Sequence, residues 1–170
     1  MNLTIAVLRL IHIFAGVFWV GTIWYFALFL LRRVKTFGQD TGRIMQTITA
    51  PPFPTYMAVA AILSPLSGII MYWRDSAGFS RAWLATTPGI VLTIAAVLGI
   101  AAALEGLFES LPTTLRMARL GRAVAASGKP PAPAVMQEVQ ALSARLERVL
   151  YRMAYLMLLA VIGMATFRYL

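Results

Sequence analysis

The chain has 170 residues, of which 60% are hydrophobic and 12% charged, with a formal net charge of +9 and a mean hydropathy of +0.78. Soluble domains carry about twice that share of charged residues. The absence of cysteine excludes disulfides, iron–sulfur clusters, thiolate metal sites and covalently attached haem. A single histidine, His12, restricts metal chemistry further.

A bilayer core about 30 Å thick needs ~20 consecutive apolar residues in helical form. Four stretches meet that demand, so the sequence reads as all-α: a polytopic membrane protein, one four-helix transmembrane bundle over 1–170. The first span covers about 5–31 and ends at the basic cluster Arg32, Arg33 and Lys35. Met1 to Thr4 carries no basic stretch, so no cleavable signal peptide is expected. Trp19, Trp24 and Tyr25 fall inside this span rather than forming an interfacial belt. A polar connector follows, and residues 42–50 suit a short interfacial helix. Pro51, Pro52 and Pro54 then restart the chain.

The second span covers about 55–73, with Pro65 in its interior where a kink is expected. Ser64, Ser67 and Gly68 flank Pro65, and the hydroxyls are expected to satisfy the carbonyl that proline leaves without a donor. After a short loop, Thr87 and Pro88 read as N-cap and first helical position of a third span, about 88–108. Gly99, Ala103 and Gly106 are spaced there for close helix contact. A separate amphipathic helix is expected over 112–126, with Arg116, Arg119 and Arg122 on one broad face. Residues 127–133 (SGKPPAP) break the pattern. Val135, Val139, Leu142, Leu146 and Val149 then form an apolar stripe over 134–149. That helix should continue into the fourth span, about 150–167, giving a rod ~50 Å long. Its first third exceeds the membrane, and the 112–126 helix is its natural partner.

Eleven of the fifteen Lys and Arg flank or occupy the two longer connectors, against four on the other side. The positive-inside bias therefore places those connectors in the cytoplasm and both termini outside, in a bacterial cytoplasmic (inner) membrane. The basic residues then face anionic headgroups. No nucleic-acid motif, Walker A loop or hydrolase motif occurs, so no catalytic residue is assigned.

Arg9, His12, Gly16 and Trp19 share one helical face. One reading is a haem b site: the imidazole of His12 ligates iron, Gly16 leaves room for the macrocycle, and Arg9 pairs with a propionate. The other is structural: His12 bonds a neighbouring helix, Arg9 snorkels and Gly16 packs. A sixth ligand could come from methionine, from a symmetry-related His12, or be absent. Met153 and Met157, four apart, offer thioethers to copper or simply fill the core. Glu105, the one carboxylate inside a span, is expected to pair with Arg116, Arg32 or Arg33, with proton relay as the alternative.

The stretch Leu8-Arg9-Leu10-Ile11-His12-Ile13-Phe14-Ala15-Gly16-Val17-Phe18-Trp19-Val20-Gly21 resembles the L-x-x-H-x-x-x-x-x-x-W-x-G first helix of the copper resistance protein D family and its uncharacterised relatives. It is also similar to the membrane domain of cytochrome-linked urate oxidases and, more weakly, to the haem-binding protoporphyrinogen oxidase of bacteria. The resemblance implies a four-helix bundle with His12 as the motif histidine and an association with haem b or copper. The sequence departs from the haem-binding members in having no further histidine. Three functions are carried forward: a haem b redox or electron-transfer component, a non-catalytic accessory subunit of a larger membrane complex, and copper handling. The expected partners are the lipid bilayer and either further copies of the chain or other membrane subunits.

Overall fold

The computed structural model describes residues 3–128 and 130–170, with Gln39 described through its backbone alone. Lys129, one of the basic residues counted above, lies outside the described residues. Helix α1 runs Leu3–Lys35, α2 Thr41–Ile48, α3 Phe53–Asp75, α4 Arg81–Leu84, α5 Thr87–Ser127 and α6 Pro133–Thr166. No strand occurs among the described residues. α1, α3, α5 and α6 are each long and apolar enough to cross a membrane.

The bundle is built from two tightly packed pairs, α1 with α3 and α5 with α6, which then meet each other. Apolar lipid rewards no hiding of leucine, so helices must approach closely enough for dispersion to act. Small residues mark those approaches. A Cβ on Gly99 would sit 3.7 Å from the Met164 Cε, and one on Gly163 would sit 2.8 Å from the Ala95 Cβ. Ala27, Ala60, Ala61, Ala102 and Ala103 are all buried, around Trp19, Ile23, Met153 and Met157. The large apolar side chains point outward instead: Phe14, Val17, Leu66, Ile94, Val97 and Phe108 are all exposed, as lipid-facing surface should be.

The expected separate helix over 112–126 is not separate. It is the continuation of the third span, and α5 runs unbroken to Ser127. A wide π-type turn over Gly106–Ser110 precedes Pro112. Its looser winding opens the turn that the proline ring would otherwise crowd, so the helix passes through. A matching wide turn spans Phe26–Leu30 of α1, and nothing in its sequence explains it. The cap of α5 also lies one residue earlier than expected. The Thr86 side chain accepts from the Gly89 N–H at 3.2 Å. Gly128 closes α5 in the left-handed conformation that glycine adopts freely.

α6 is continuous over 34 residues. Its stripe Val135, Val139, Leu142 and Leu146 is half-buried and Val149 fully buried. Ion pairs fix the α5–α6 register: Arg116 Nη2 lies 2.5 Å from Glu138 Oε1, Arg145 Nε 3.1 Å from Glu109 Oε1, and Arg152 Nε 3.1 Å from Glu105 Oε1. At the opposite end, Tyr72, Phe79 and Trp83 form an aromatic cluster, and the Tyr72 and Thr93 hydroxyls bond at 2.5 Å.

Gly163→Ala should destabilise the protein by about 1–3 kcal/mol, because the added methyl meets Ala95 with no room to yield. Gly21→Ala has open space around it and should be neutral or stabilising by a few tenths of a kcal/mol, from helix propensity. Unfolding midpoints of the two variants in the same detergent distinguish these outcomes.

Candidate functional site

The site begins with a chemical oddity, an imidazole in an apolar helix. His12 sits on the face of α1 that meets α3, and its Nδ1 is 2.8 Å from the Ser64 carbonyl oxygen. A carbonyl oxygen only accepts, so Nδ1 carries the proton. In the neutral ring Nε2 is therefore left with its lone pair. The close approach depends on Gly68: a Cβ there would lie 2.9 Å from His12 Cε1 and 3.1 Å from Nδ1. The imidazole thus rests on bare backbone one turn past Ser64.

Pro65 stands inside this contact. The Ser67 hydroxyl lies 2.6 Å from the Leu63 carbonyl and 3.0 Å from that of Ser64. The proline's missing donor would have served Ala61, four residues back. The hydroxyl therefore does not do what the sequence led us to expect. It adds instead to the carbonyl cluster that His12 joins.

The other face-sharing residues part company. Gly16 lies against α3, where a Cβ would be 3.3 Å from the Ser64 hydroxyl oxygen. The space above Gly16 is filled by protein, so a macrocycle seated there would have to part α1 from α3. Trp19 is 4% exposed and belongs to the central core. Arg9, one turn toward the N-terminus from His12, is exposed and has no acidic partner among the described residues.

Met153 and Met157 are 1% and 2% exposed, in the same core as Trp19. The Trp24 indole donates to the Ala154 carbonyl at 3.2 Å, which fixes the antiparallel register of α1 and α6. By that register the two methionines lie roughly 14 to 20 Å along the axis from His12. They do not reach its ring. Among the described residues no group of three or more His, Asp or Glu side chains is arranged to hold a metal ion.

Glu105 pairs with Arg152 of α6, not with Arg116, Arg32 or Arg33. The long α6 accounts for the difference. Its continuous helix brings residue 152 to the level of residue 105, while Arg116, three turns farther on, meets Glu138. Arg152 also reaches Glu109, with Nη2 2.7 Å from Oε2. Glu105 Oε2 is buried without a hydrogen-bond partner. This carboxylate–guanidinium cluster was invisible in the sequence because its members come from distant segments.

No protein-family model, no curated protein and no solved structure matches the chain.

Gly68→Ala should cost about 1–3 kcal/mol by displacing the imidazole. In a His12→Ala background the same change should cost almost nothing, since the group it displaces is gone. A double-mutant cycle on unfolding midpoints measures that coupling. Additive effects would mean that Gly68 does not act through His12.

Proposed function

We propose that this chain is a haem b-binding protein of the membrane in which His12 supplies an axial nitrogen, serving as a redox or electron-transfer component. The observation that carries this reading is the bond from His12 Nδ1 to the Ser64 carbonyl. Ligating histidines commonly donate their second ring nitrogen to a carbonyl, which fixes the tautomer and raises the basicity of the ligating nitrogen. The bond puts a proton on Nδ1, so the neutral ring presents the Nε2 lone pair outward from that bond. Arg9, unpaired and one turn away, suits a propionate. With the space over Gly16 filled by Ser64, a macrocycle held by His12 would have to lie on the outer side of the half-exposed imidazole, and a second copy of the chain would be needed to complete its pocket. That copy's His12 is the candidate sixth ligand, the core methionines being out of reach. When bound, haem supplies one-electron chemistry. The chain's own part is to orient the imidazole and offer a guanidinium.

The native protein in mild detergent should show a Soret band. His12→Asn is the informative variant, because its amide still donates toward Ser64 yet offers no ring nitrogen to iron. It should abolish the band while leaving the unfolding midpoint close to the parent's. A colourless, haem-free native preparation overturns the proposal.

A second reading is an accessory subunit of a larger membrane assembly. It is favoured by α5 and α6 running well past one bilayer thickness, locked together by ion pairs. Stoichiometric co-purification of other subunits supports it, and a homogeneous homo-oligomer counts against it.

For orientation we propose both termini outside and the basic connectors in the cytoplasm of a bacterial inner membrane, on the eleven-to-four bias of basic residues. The natural absence of cysteine makes the check clean. In intact cells Ala85→Cys should react with an impermeant maleimide, and Ala126→Cys should react only after lysis. The reverse pattern inverts the topology.

A further inference from the structure

The six acidic residues of the chain are each matched to a basic partner: Asp40 to Arg43, Asp75 to Arg168, Glu105 and Glu109 to Arg152, Glu109 also to Arg145, Glu138 to Arg116, and Glu147 to Lys35. The remaining cations have no internal counter-charge to use. Three of them lie at one level of the bundle. Lys35 Nζ binds Glu147 at 2.6 Å, tying the end of α1 to α6. Arg32 lies one turn before Lys35 on the same face, Arg33 is its neighbour, and Arg148 follows Glu147 directly. The Trp24–Ala154 bond sets a register in which residues 32 and 33 are level with 146 and 145, within one turn of Arg148. Arg32, Arg33 and Arg148 are exposed and have no acidic partner among the described residues. Four cations thus lie at one level of the bundle, and only Lys35 among them is paired, with Glu147.

The level of this cluster is informative. The register of α5 and α6 places Arg148 level with Leu107. From Thr87 to Leu107 the helix rises about 30 Å, one hydrocarbon thickness. Immediately below the cluster on α1, Leu28 and Phe29 are exposed apolar surface, 51% and 62%. Cations ring the boundary and apolar side chains lie one turn beneath, which is the profile of a phospholipid: phosphate above, acyl chain below.

We propose that Arg32, Arg33 and Arg148 form a binding site for the phosphate headgroup of an anionic phospholipid, bridging α1 and α6 beside the Lys35–Glu147 pair. A second copy of the chain cannot fill it with carboxylates, because its own are already engaged. The phosphate relieves repulsion among the guanidiniums and clips the two halves of the bundle together. This proposal stands apart from the haem reading, which concerns the other end of α1.

The test uses the full chain in neutral detergent, titrated with phosphatidylglycerol or with phosphatidylcholine, reading the thermal unfolding midpoint. Phosphatidylglycerol should raise the midpoint saturably, and more than phosphatidylcholine. The triple variant Arg32→Gln, Arg33→Gln, Arg148→Gln should raise the half-saturating concentration roughly tenfold or more, as should high salt. Arg119 and Arg122 are equally exposed and unpaired but lie roughly 18 to 23 Å farther along α5, beyond a headgroup layer of about 5–8 Å. Arg119→Gln with Arg122→Gln should therefore leave the lipid response unchanged. Equal responses to the two lipids, the same shift from inorganic phosphate alone, or equal losses from both sets of variants would each overturn the site. Because the readout ignores absorbance, a haem-free protein leaves the test intact.

Discussion

Helices that meet inside hydrocarbon gain little by hiding apolar side chains from one another, since the lipid around them is equally apolar. What holds them is close approach of backbones and a few polar bonds made where water cannot compete. The bundle obeys that constraint throughout. Among the described residues alanine and serine supply about half of the buried positions, and Trp19, Met153 and Met157 fill space with a few aliphatic side chains such as Ile23, Leu92 and Leu150. Most of its large aliphatic side chains face outward. A soluble four-helix protein would be arranged the other way round.

The uncharged polar ties between the long helices are few, and each joins a different pair. His12 to Ser64 joins α1 to α3, Trp24 to Ala154 joins α1 to α6, and Tyr72 to Thr93 joins α3 to α5. The α5–α6 pair is tied by charge, through Arg152, Arg145 and Arg116. Counted from Thr87, Glu105 lies about 27 Å and Arg116 about 44 Å along α5, so these ion pairs fall near and past one hydrocarbon thickness. There, desolvation is less costly than at the bilayer centre. His12 is the exception that invites a function: a titratable ring placed within a span and held in one tautomer by a main-chain carbonyl.

The four spans, the long α6 and its apolar stripe could be read from hydropathy and period, because both signals are local. The end of the third span could not. Pro112 argued for a helix start, and only the wide turn at Gly106–Ser110 lets the helix continue, a feature with no compositional mark. His12 was legible as a candidate, since one histidine in an apolar run stands out. Its partner was not, for a main-chain carbonyl of α3 leaves no trace in residue identity. Gly68 could be seen beside Pro65 but not linked to an imidazole on another helix. The Glu105 partner was misassigned for the same reason: registers between helices are three-dimensional facts, and several arginines qualified by charge alone.

The two wide turns, Phe26–Leu30 and Gly106–Ser110, each act as a one-residue surplus wound into an otherwise regular rod. Beyond such a surplus, every later position is rotated by about 100° relative to an unbroken α-helix of the same length. The basic and apolar faces of 111–127 are therefore aimed by the surplus at Gly106–Ser110. Excising one residue there, and tightening the coil to ordinary pitch, would preserve the aim of everything downstream. The same excision a few turns farther along would swing the far end of the rod away from α6.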